Sequence, residues 1–202
     1  MIKNVIFDCG NVLIKYDEHY ISSFFAEDEN DIDLLAKTAM ARKYWDAFDM
    51  GTLTSDVYKT EVKKELPEHL HKAAEGICDK WTSHCPAWQG MRELVRDISA
   101  KGTPLYLLSN FNQRLRSEID IIFPELDLFD GLVISGEIGI VKPSKEIYRY
   151  ILEKYDLVPE ECVFIDDNKN NIAACEEAGI VGYLFDGDAE KLREYLKSEG
   201  II

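Results

Sequence analysis

The sequence has few basic residues and no long apolar run. Its 202 residues include 23 lysines and arginines against 38 aspartates and glutamates, a formal net charge of −15. No apolar run approaches the roughly 18 residues of a membrane span, and Asp8 interrupts the first one, so we expect neither a span nor a signal peptide. Because so acidic a surface repels phosphate backbones, we expect no nucleic-acid partner and no membrane partner.

Cysteine is also too sparse to form a disulfide framework. The five cysteines are odd in number and scattered along the chain, which does not indicate pairing. A chain of this length buries roughly 70% of its unfolded surface, so it can fold without disulfides or a structural metal. A reducing cytoplasm is therefore the expected location. The sequence gives no indication of the oligomeric state.

Five short and mostly continuous apolar segments predict strands buried on both faces of a parallel sheet. They are Asn4–Phe7, Pro104–Leu108, Leu132–Ile134, Cys162–Ile165 and Gly182–Phe185. Amphipathic helical patterns separate the later segments, at Met91–Ala100, after Ser144 as N-cap, at Ile172–Ala178 and at Ala189–Ser198. This alternation predicts an α/β fold with a Rossmann-like core in three layers, α/β/α, and right-handed crossovers.

Residues 17–84 break the alternation, because they carry only helical patterns. One apolar ridge runs from Leu70 to Trp81 at helical spacing, with Pro67 placed for the helix start. We therefore predict a helical subdomain at 17–84, inserted into a core formed by 1–16 and 85–202. Its aromatic residues are expected mostly in its own core, with one or two facing a substrate: Trp45, Phe48 and Trp81.

Polar side chains occur where four of the predicted strands end, or in the loop that follows. They are Asp8, Ser109 and Asn110, Lys142, and Asp166 and Asp167. Ligands of open α/β sheets bind at the carboxyl ends of the strands, so we expect these groups to converge. Clustered carboxylates favour Mg²⁺, which takes hard oxygen ligands, whereas lysine, serine and asparagine suit a phosphate.

Four motifs in this order resemble the haloacid dehalogenase superfamily of aspartate-nucleophile hydrolases. They are Phe-Asp-Cys-Gly-Asn-Val at 7–12, Leu-Leu-Ser-Asn at 107–110, Val-Lys-Pro at 141–143 and Phe-Ile-Asp-Asp-Asn at 164–168. The position of the insertion is similar to that of the subgroup whose helical cap lies between motifs one and two. The resemblance implies a Mg²⁺-dependent phosphatase of small phosphorylated metabolites.

The resemblance also implies a role for each of these residues. Asp8 would attack phosphorus and form an aspartyl-phosphate, and Lys142 would neutralise charge beside it. The phosphate oxygens would be held by Ser109, Asn110 and Lys142. The metal site would comprise Asp8, the backbone carbonyl of Gly10, Asp166 and Asp167, with Asp167 favoured as the direct ligand and Asp166 in support.

Gly10 departs from the family pattern, in which a second aspartate usually serves there as general acid and base. Such a group contributes roughly 10²–10⁴-fold to the rate. The Asp-x-Gly-Asn-Val form resembles a branch that includes sugar-phosphate phosphatases similar to glucose-1-phosphatase. We therefore hypothesise a leaving group that needs little protonation, such as an anomeric sugar phosphate or an acyl phosphate.

Two alternatives remain open at this point. A 2-haloacid dehalogenase would use Asp8 to attack carbon without a metal, although the retained Asp166 and Asp167 pair argues for one. A degenerate member could bind phosphate without turnover, because Gly10 replaces the acid. The structural alternative for Asp8 is a carboxylate that only caps a turn.

Overall fold

The computed structural model describes all 202 residues and contains one five-stranded parallel sheet. Its strands are β1 (Asn4–Phe7), β2 (Leu105–Ser109), β3 (Gly131–Ile134), β4 (Cys162–Asp166) and β5 (Val181–Leu184). The spatial order is β3-β2-β1-β4-β5. The predicted parallel sheet is confirmed, and each strand boundary lies within one residue of its prediction.

Register places the ends of the three central strands side by side. Phe7 pairs with Leu107 on one side and with Ile165 on the other. The next residue, Asp8, therefore stands level with Asp166, and its amide N–H donates to the carbonyl of Ile165 at 2.9 Å. The central position of β1 thus brings Asp8 between the ends of β2 and β4.

Strand β5 differs from its prediction as a strand buried on both faces. It forms one edge of the sheet, and Val181 and Leu184 are 38% and 41% exposed. A short apolar run looks the same at an edge as in the centre, because only the neighbouring strand decides which residues water reaches.

The insertion between β1 and β2 contains helices only, as its pattern predicts. They are α1 (Glu18–Ser22), α2 (Glu29–Thr38), α3 (Arg42–Asp49), α4 (Ser55–Lys63) and α5 (His71–Lys80). Short 3₁₀ turns precede and follow α5, so Pro67 begins a turn at Glu68–Leu70 and not the α-helix itself. We refer to residues 17–84 as the helical insertion.

One hydrophobic cluster of 43 buried residues runs through both the helical insertion and the core. It joins Val5 and Phe7 of β1 to Tyr58 and Ile77 of the insertion without a gap. The boundaries at 17 and 84 therefore stay a prediction, because no break in the packing marks them.

The remaining helices lie within the core. They are α6 (Met91–Ala100), α7 (Ile119–Ile122), α8 (Ser135–Ile138), α9 (Lys145–Tyr155), α10 (Lys169–Glu177) and α11 (Ala189–Ser198). Buried residues of α6 and α11 share the cluster of Val5 and Phe7, whereas those of α9 and α10 pack with Ile6 in a second cluster. Helices therefore cover both faces of the sheet, which confirms the predicted three layers.

Helices α6 and α11 begin and end where the sequence predicts, whereas other local predictions need correction. Ser144 occupies the N-cap position of α9, but its hydroxyl bonds to the side chain of Glu146 and not to a backbone N–H. Helix α10 begins at Lys169, three residues before its prediction, because the side chain of Asn168 caps it. The loop predicted between β3 and Lys142 contains α8, which is too short to show a helical period.

The five cysteines are all buried and carry free thiols. This agrees with the absence of a disulfide framework, whereas the reducing compartment stays a prediction. No helix combines the length and the hydrophobicity needed to cross a membrane.

Candidate active site

The Lys142 ammonium lies between two carboxylates at the carboxyl edge of the sheet. Its Nζ is 2.8 Å from Oδ1 of Asp8 and 2.7 Å from Oδ2 of Asp166, and only 1% of its side chain is exposed. The three residues come from the ends of β1 and β4 and from the segment after α8. The predicted convergence of Asp8, Lys142 and Asp166 is therefore present in the structure.

The charges of this group depend on one another. Burial raises the pKa of Asp8 to about 6, while Lys142 opposes this rise and Asp166 adds to it. Burial alone would lower the pKa of Lys142, but the carboxylates of Asp8 and Asp166 outweigh it and raise that pKa above its ordinary value. Lys142 is thus a permanent cation at neutral pH.

The carboxylates of Asp166 and Asp167 differ in how they are bonded. Asp166 is fully buried and accepts from the N–H of Asn168 at 2.8 Å and from the side-chain amide of Asn171 at 3.0 Å, in addition to Lys142. Asp167 is exposed to the cavity beside it. The oxygens of Asp166 are therefore occupied by hydrogen bonds within the protein, whereas those of Asp167 are more available to a metal ion.

Ser109 and Asn110 follow each other at the end of β2 but are bonded differently. The Ser109 hydroxyl is completely buried and forms no hydrogen bond of normal geometry within the protein, although it lies close enough to Asp8 to lower the pKa of that carboxyl. The Asn110 amide instead donates to the carbonyl of Lys142 at 3.0 Å and accepts from its N–H at 2.8 Å. Asn110 thus fixes the backbone that carries Lys142, so its predicted contact with phosphate stays untested, and Ser109 is the group left for a ligand.

Neither the backbone conformation nor steric crowding requires a glycine at position 10. It has no positive φ, and a Cβ added there would meet no heavy atom within 4 Å. The left-handed residue of this turn is the next one, Asn11, with φ 55°, and its side chain accepts from the N–H of Tyr16 at 2.9 Å. A Cβ would therefore fit at position 10, so the missing side chain is a chemical feature of the site.

A cavity of about 390 Å³ opens above these residues, with walls from the core and from the helical insertion. The core wall includes Asp8, Gly10, Asn110, Lys142 and Asp167, and the insertion wall includes Glu18, Arg42, Trp45, Asp46, Asp49 and Trp81. Two of the three predicted aromatic residues, Trp45 and Trp81, thus face the cavity, whereas Phe48 does not line it. Carboxylates outnumber cations on both walls.

The charged residues of α3 were missed at the level of sequence, although a signal exists. Arg42, Trp45, Asp46 and Asp49 recur at helical spacing and lie on one face of α3, which lines the cavity. A helix face that combines an aromatic residue with charges of both signs is a candidate ligand surface. The same pattern also occurs on helices that only meet solvent, so the sequence alone does not separate the two cases.

Aromatic side chains form a continuous group beside that face. The ring centroids of Trp45 and Trp81 are 5.4 Å apart, Trp81 stacks on Phe111 at 5.2 Å, and Tyr16 meets Trp81 edge-on at 5.6 Å. The indole N–H of Trp45 is buried without a partner. This group offers a flat apolar surface and one unused hydrogen-bond donor.

Comparisons with known proteins agree with this geometry. A family model described as haloacid dehalogenase-like hydrolase matches residues 2–179. A sesquiterpene phosphatase of Aspergillus oryzae, astK, is 25% identical over 181 residues, which are 89% of this chain and 88% of that protein. A D-ribitol-5-phosphate phosphatase of Bacteroides thetaiotaomicron is 27% identical over 199 residues, which are 89% of each chain.

Solved structures share the fold. A haloacid-dehalogenase-family enzyme of Bacteroides thetaiotaomicron, in complex with magnesium and inorganic phosphate, superposes with a TM-score of 0.73 at 23% identity over 95% of this chain and 99% of its own. An L-2-haloacid dehalogenase of Xanthobacter autotrophicus superposes with a TM-score of 0.66 at 16% identity, over 100% of this chain and 85% of its own. Likeness at these identities establishes the fold and not the reaction.

Proposed function

The chain belongs to the haloacid dehalogenase-like hydrolases, and on that premise we propose that it is a Mg²⁺-dependent phosphatase of small phosphorylated metabolites. The observation that carries this proposal is the pairing of Asp8 with the buried Lys142 ammonium at 2.8 Å, beside the unpartnered hydroxyl of Ser109. A nucleophilic carboxylate, a fixed cation and a free donor are the groups that phosphoryl transfer needs at one place.

The donor set fits a divalent cation. One oxygen from each of Asp8, Asp166 and Asp167 lies within 4.8 Å of the others. We propose that Asp8, the carbonyl of Gly10 and Asp167 hold Mg²⁺, and that Asp166 supports the site from its bonds to Asn171 and Lys142. When bound, the ion supplies positive charge that lowers the repulsion between an anionic substrate and this acidic cavity.

The positions of the side chains support a reaction in two steps. Asp8 attacks phosphorus and forms an aspartyl-phosphate, which water then hydrolyses. Lys142 keeps its charge throughout, since its pKa is raised, and stabilises the negative oxygens of the phosphoryl group. Ser109 donates its hydroxyl hydrogen to one of those oxygens, which pairs an otherwise unsatisfied buried group.

The helical insertion acts in this proposal as a cap that encloses the leaving group and excludes water. Its aromatic surface and its carboxylates suit a neutral leaving group that bears hydroxyls, which favours sugar phosphates within the class. Gly10 provides no acid to protonate the leaving oxygen. Anomeric sugar phosphates and acyl phosphates, whose leaving groups need little protonation, should therefore react faster than alkyl phosphates.

A phosphatase screen tests the proposal. It compares glucose 1-phosphate, glucose 6-phosphate, a nucleoside monophosphate and acetyl phosphate, with Mg²⁺ and with a chelator, for the unchanged enzyme and for Asp8→Asn. We expect phosphate release that needs Mg²⁺, is lost in Asp8→Asn and is fastest for the anomeric or acyl substrate.

Two results of this screen would redirect the function. Halide release from a 2-haloacid without Mg²⁺, together with no phosphate release, would establish the dehalogenase alternative. Mg²⁺-dependent binding of phosphate without turnover of any substrate would establish the degenerate one.

A further inference from the structure

Asp49 presents an uncommitted carboxyl group to the cavity. It ends α3 and lines the same cavity as Asp8, from the insertion wall. Its neighbour Asp46 pairs with Arg42 at 3.2 Å, whereas the Asp49 carboxyl has neither an ion pair nor a hydrogen bond within the protein. Nothing in the fold uses this carboxyl for stability.

Contacts with backbone carbonyl groups hold the end of α3 against the core. The Ser135 hydroxyl donates to the carbonyl of Asp49 at 2.6 Å. Two residues later Gly51 comes so close to Gly136 that an added Cβ would lie 2.5 Å from the carbonyl oxygen of Gly136. Gln113 donates to that same oxygen at 2.8 Å. The position of Asp49 over the site is thus set by the backbone, which leaves its side chain free.

The environment of Asp49 favours a bound proton near neutral pH. Burial, with added repulsion from Asp46 and Asp8, raises its pKa to about 7, against the opposing effects of Lys142 and Arg42. The other titratable groups on the cavity walls are Tyr16, Glu18 and Asp167. On α8, which packs against α3, Glu137 is bound to Arg116 at 2.8 Å. A general acid works best when its pKa lies close to the operating pH.

The geometry of displacement at phosphorus places the leaving oxygen on the side of Asp49. Attacking and leaving oxygens stand roughly in line across the transferred phosphoryl group. Asp8 attacks from the core wall, so the leaving oxygen points toward the insertion wall. A donor for that oxygen therefore has to come from the insertion, or from position 10, where glycine offers no proton.

We propose that Asp49 is the general acid and base of the reaction, in the place of a side chain at position 10. This rests on the proposed function. As the bond from Asp8 to phosphorus forms and the bond from phosphorus to the leaving oxygen breaks, the Asp49 proton moves to that oxygen. In the second step water attacks the same phosphorus and Asp49 takes a proton from that water. The bond from Asp8 to phosphorus breaks, which regenerates the Asp8 carboxylate and frees inorganic phosphate.

The test compares Asp49→Asn with the unchanged enzyme on substrates that differ in how much protonation they need. These are p-nitrophenyl phosphate, phenyl phosphate, glucose 1-phosphate and glucose 6-phosphate, each with saturating Mg²⁺. We expect kcat for p-nitrophenyl phosphate to change less than about 5-fold and kcat for the alkyl ester to fall about 10²–10⁴-fold. The falling high-pH limb of the kcat/KM profile should also be lost.

Asp46→Asn is the matched control, because it makes the same change from carboxyl to amide on the same face of α3. It should change all four substrates by a similar factor. The proposal is overturned if Asp49→Asn lowers kcat equally for every leaving group, or lowers it for none. An unchanged enzyme that releases no phosphate from any of the four substrates contradicts the proposed function instead, so the two failures are distinguishable.

Discussion

The two walls of the cavity are built on opposite principles. On the core wall the buried charges have partners: Lys142 bridges Asp8 and Asp166, and Asn171 bonds both oxygens of Asp166. On the insertion wall Asp49 and the indole N–H of Trp45 have none. Paired groups are rigid and set the reaction, whereas unpaired groups next to a cavity are available to a ligand. The comparison supports the proposal that the core holds the nucleophile and the metal, and that the insertion supplies the acid for the leaving group.

Removal of the Lys142 cation should have the largest effect on the core wall. Lys142→Met leaves Asp8 and Asp166 buried without their partner, which we expect to lower the free energy of unfolding by about 3–5 kcal/mol at pH 7. Without Lys142 the pKa of Asp8 rises further above about 6, and a group whose folded pKa is raised stabilises the fold at low pH. The deficit should therefore shrink between pH 7 and pH 5.

Urea denaturation at the two pH values measures this change. Lys145→Met is the matched control, because Lys145 forms an exposed ion pair with Glu177 and its loss should leave the midpoint unchanged. A deficit for Lys142→Met that is absent at pH 7, or that grows toward pH 5, would contradict the assignment of Lys142 as the partner of buried carboxylates.

Moving the proposed acid from position 49 to position 10 tests whether either wall can supply the proton. Position 10 has room for a side chain, so Gly10→Asp introduced into Asp49→Asn should place a carboxyl on the core wall. We expect it to restore alkyl phosphate turnover by roughly 10²-fold, the lower end of what a general acid contributes. Steady-state kinetics with glucose 6-phosphate measure the recovery.

The control for this exchange is Gly10→Ala in the same background, which fills the position without a proton. It should restore nothing. Equal recovery by alanine and aspartate would show that the space at position 10 matters and its chemistry does not.

A substitution at Gly51 should weaken the contact between the insertion and the core. This residue has φ 68°, and an added Cβ would clash with the carbonyl oxygen of Gly136. We expect Gly51→Ala to destabilise the protein by about 2–5 kcal/mol, the sum of left-handed strain and overpacking. It should also lower turnover of alkyl phosphates, because Asp49 moves away from the core wall.

Gly102→Ala is the control that separates left-handed backbone strain from the steric clash at Gly51. Gly102 has φ 79°, and a Cβ there meets nothing within 4 Å, so it carries the left-handed strain alone. Thermal unfolding should show a smaller loss than in Gly51→Ala, with unchanged kinetics. If the two variants have the same kinetics, the contact between Gly51 and Gly136 does not position the site.

The smallest expected effect concerns the unused donor of the insertion wall. Trp45→Phe removes the unpartnered indole N–H and keeps an aromatic ring, so we expect KM for sugar phosphates to rise about tenfold, the equivalent of 1.4 kcal/mol. Trp88→Phe removes the other buried unpartnered indole N–H, which does not line the cavity. An equal rise of KM in both variants would contradict a contact between Trp45 and substrate.

The core was largely predictable from the sequence, because the ends of parallel strands must meet. Asp8 and Asp166 lie far apart in the chain, yet the strand-end rule was enough to bring them together, whereas Lys142 lies in a loop beyond β3 and was singled out by the Val-Lys-Pro motif as well. The rule does not show how each group is bonded. The Asn110 amide proved to be occupied by the backbone of Lys142, which depends on a turn that has no periodic signal.

The insertion wall was predictable only as helices. Periodicity identified a helical segment between β1 and β2, but it does not say which polar face meets the core. Asp49 has the sequence context of any acidic residue at the end of an amphipathic helix. Its role depends on the contacts of Ser135 and Gly51 with distant parts of the chain, and these exist only after the insertion has docked.

Capture of the phosphorylated intermediate tests whether Asp8 carries the phosphoryl group. The enzyme is mixed with Mg²⁺ and the best substrate of the screen, quenched in acid within milliseconds, digested and examined by mass spectrometry. We predict one phosphoryl group on the peptide that contains Asp8, and none in Asp8→Asn. Phosphate release that proceeds at full rate with no phosphoryl group on this peptide, or that persists in Asp8→Asn, would contradict the account.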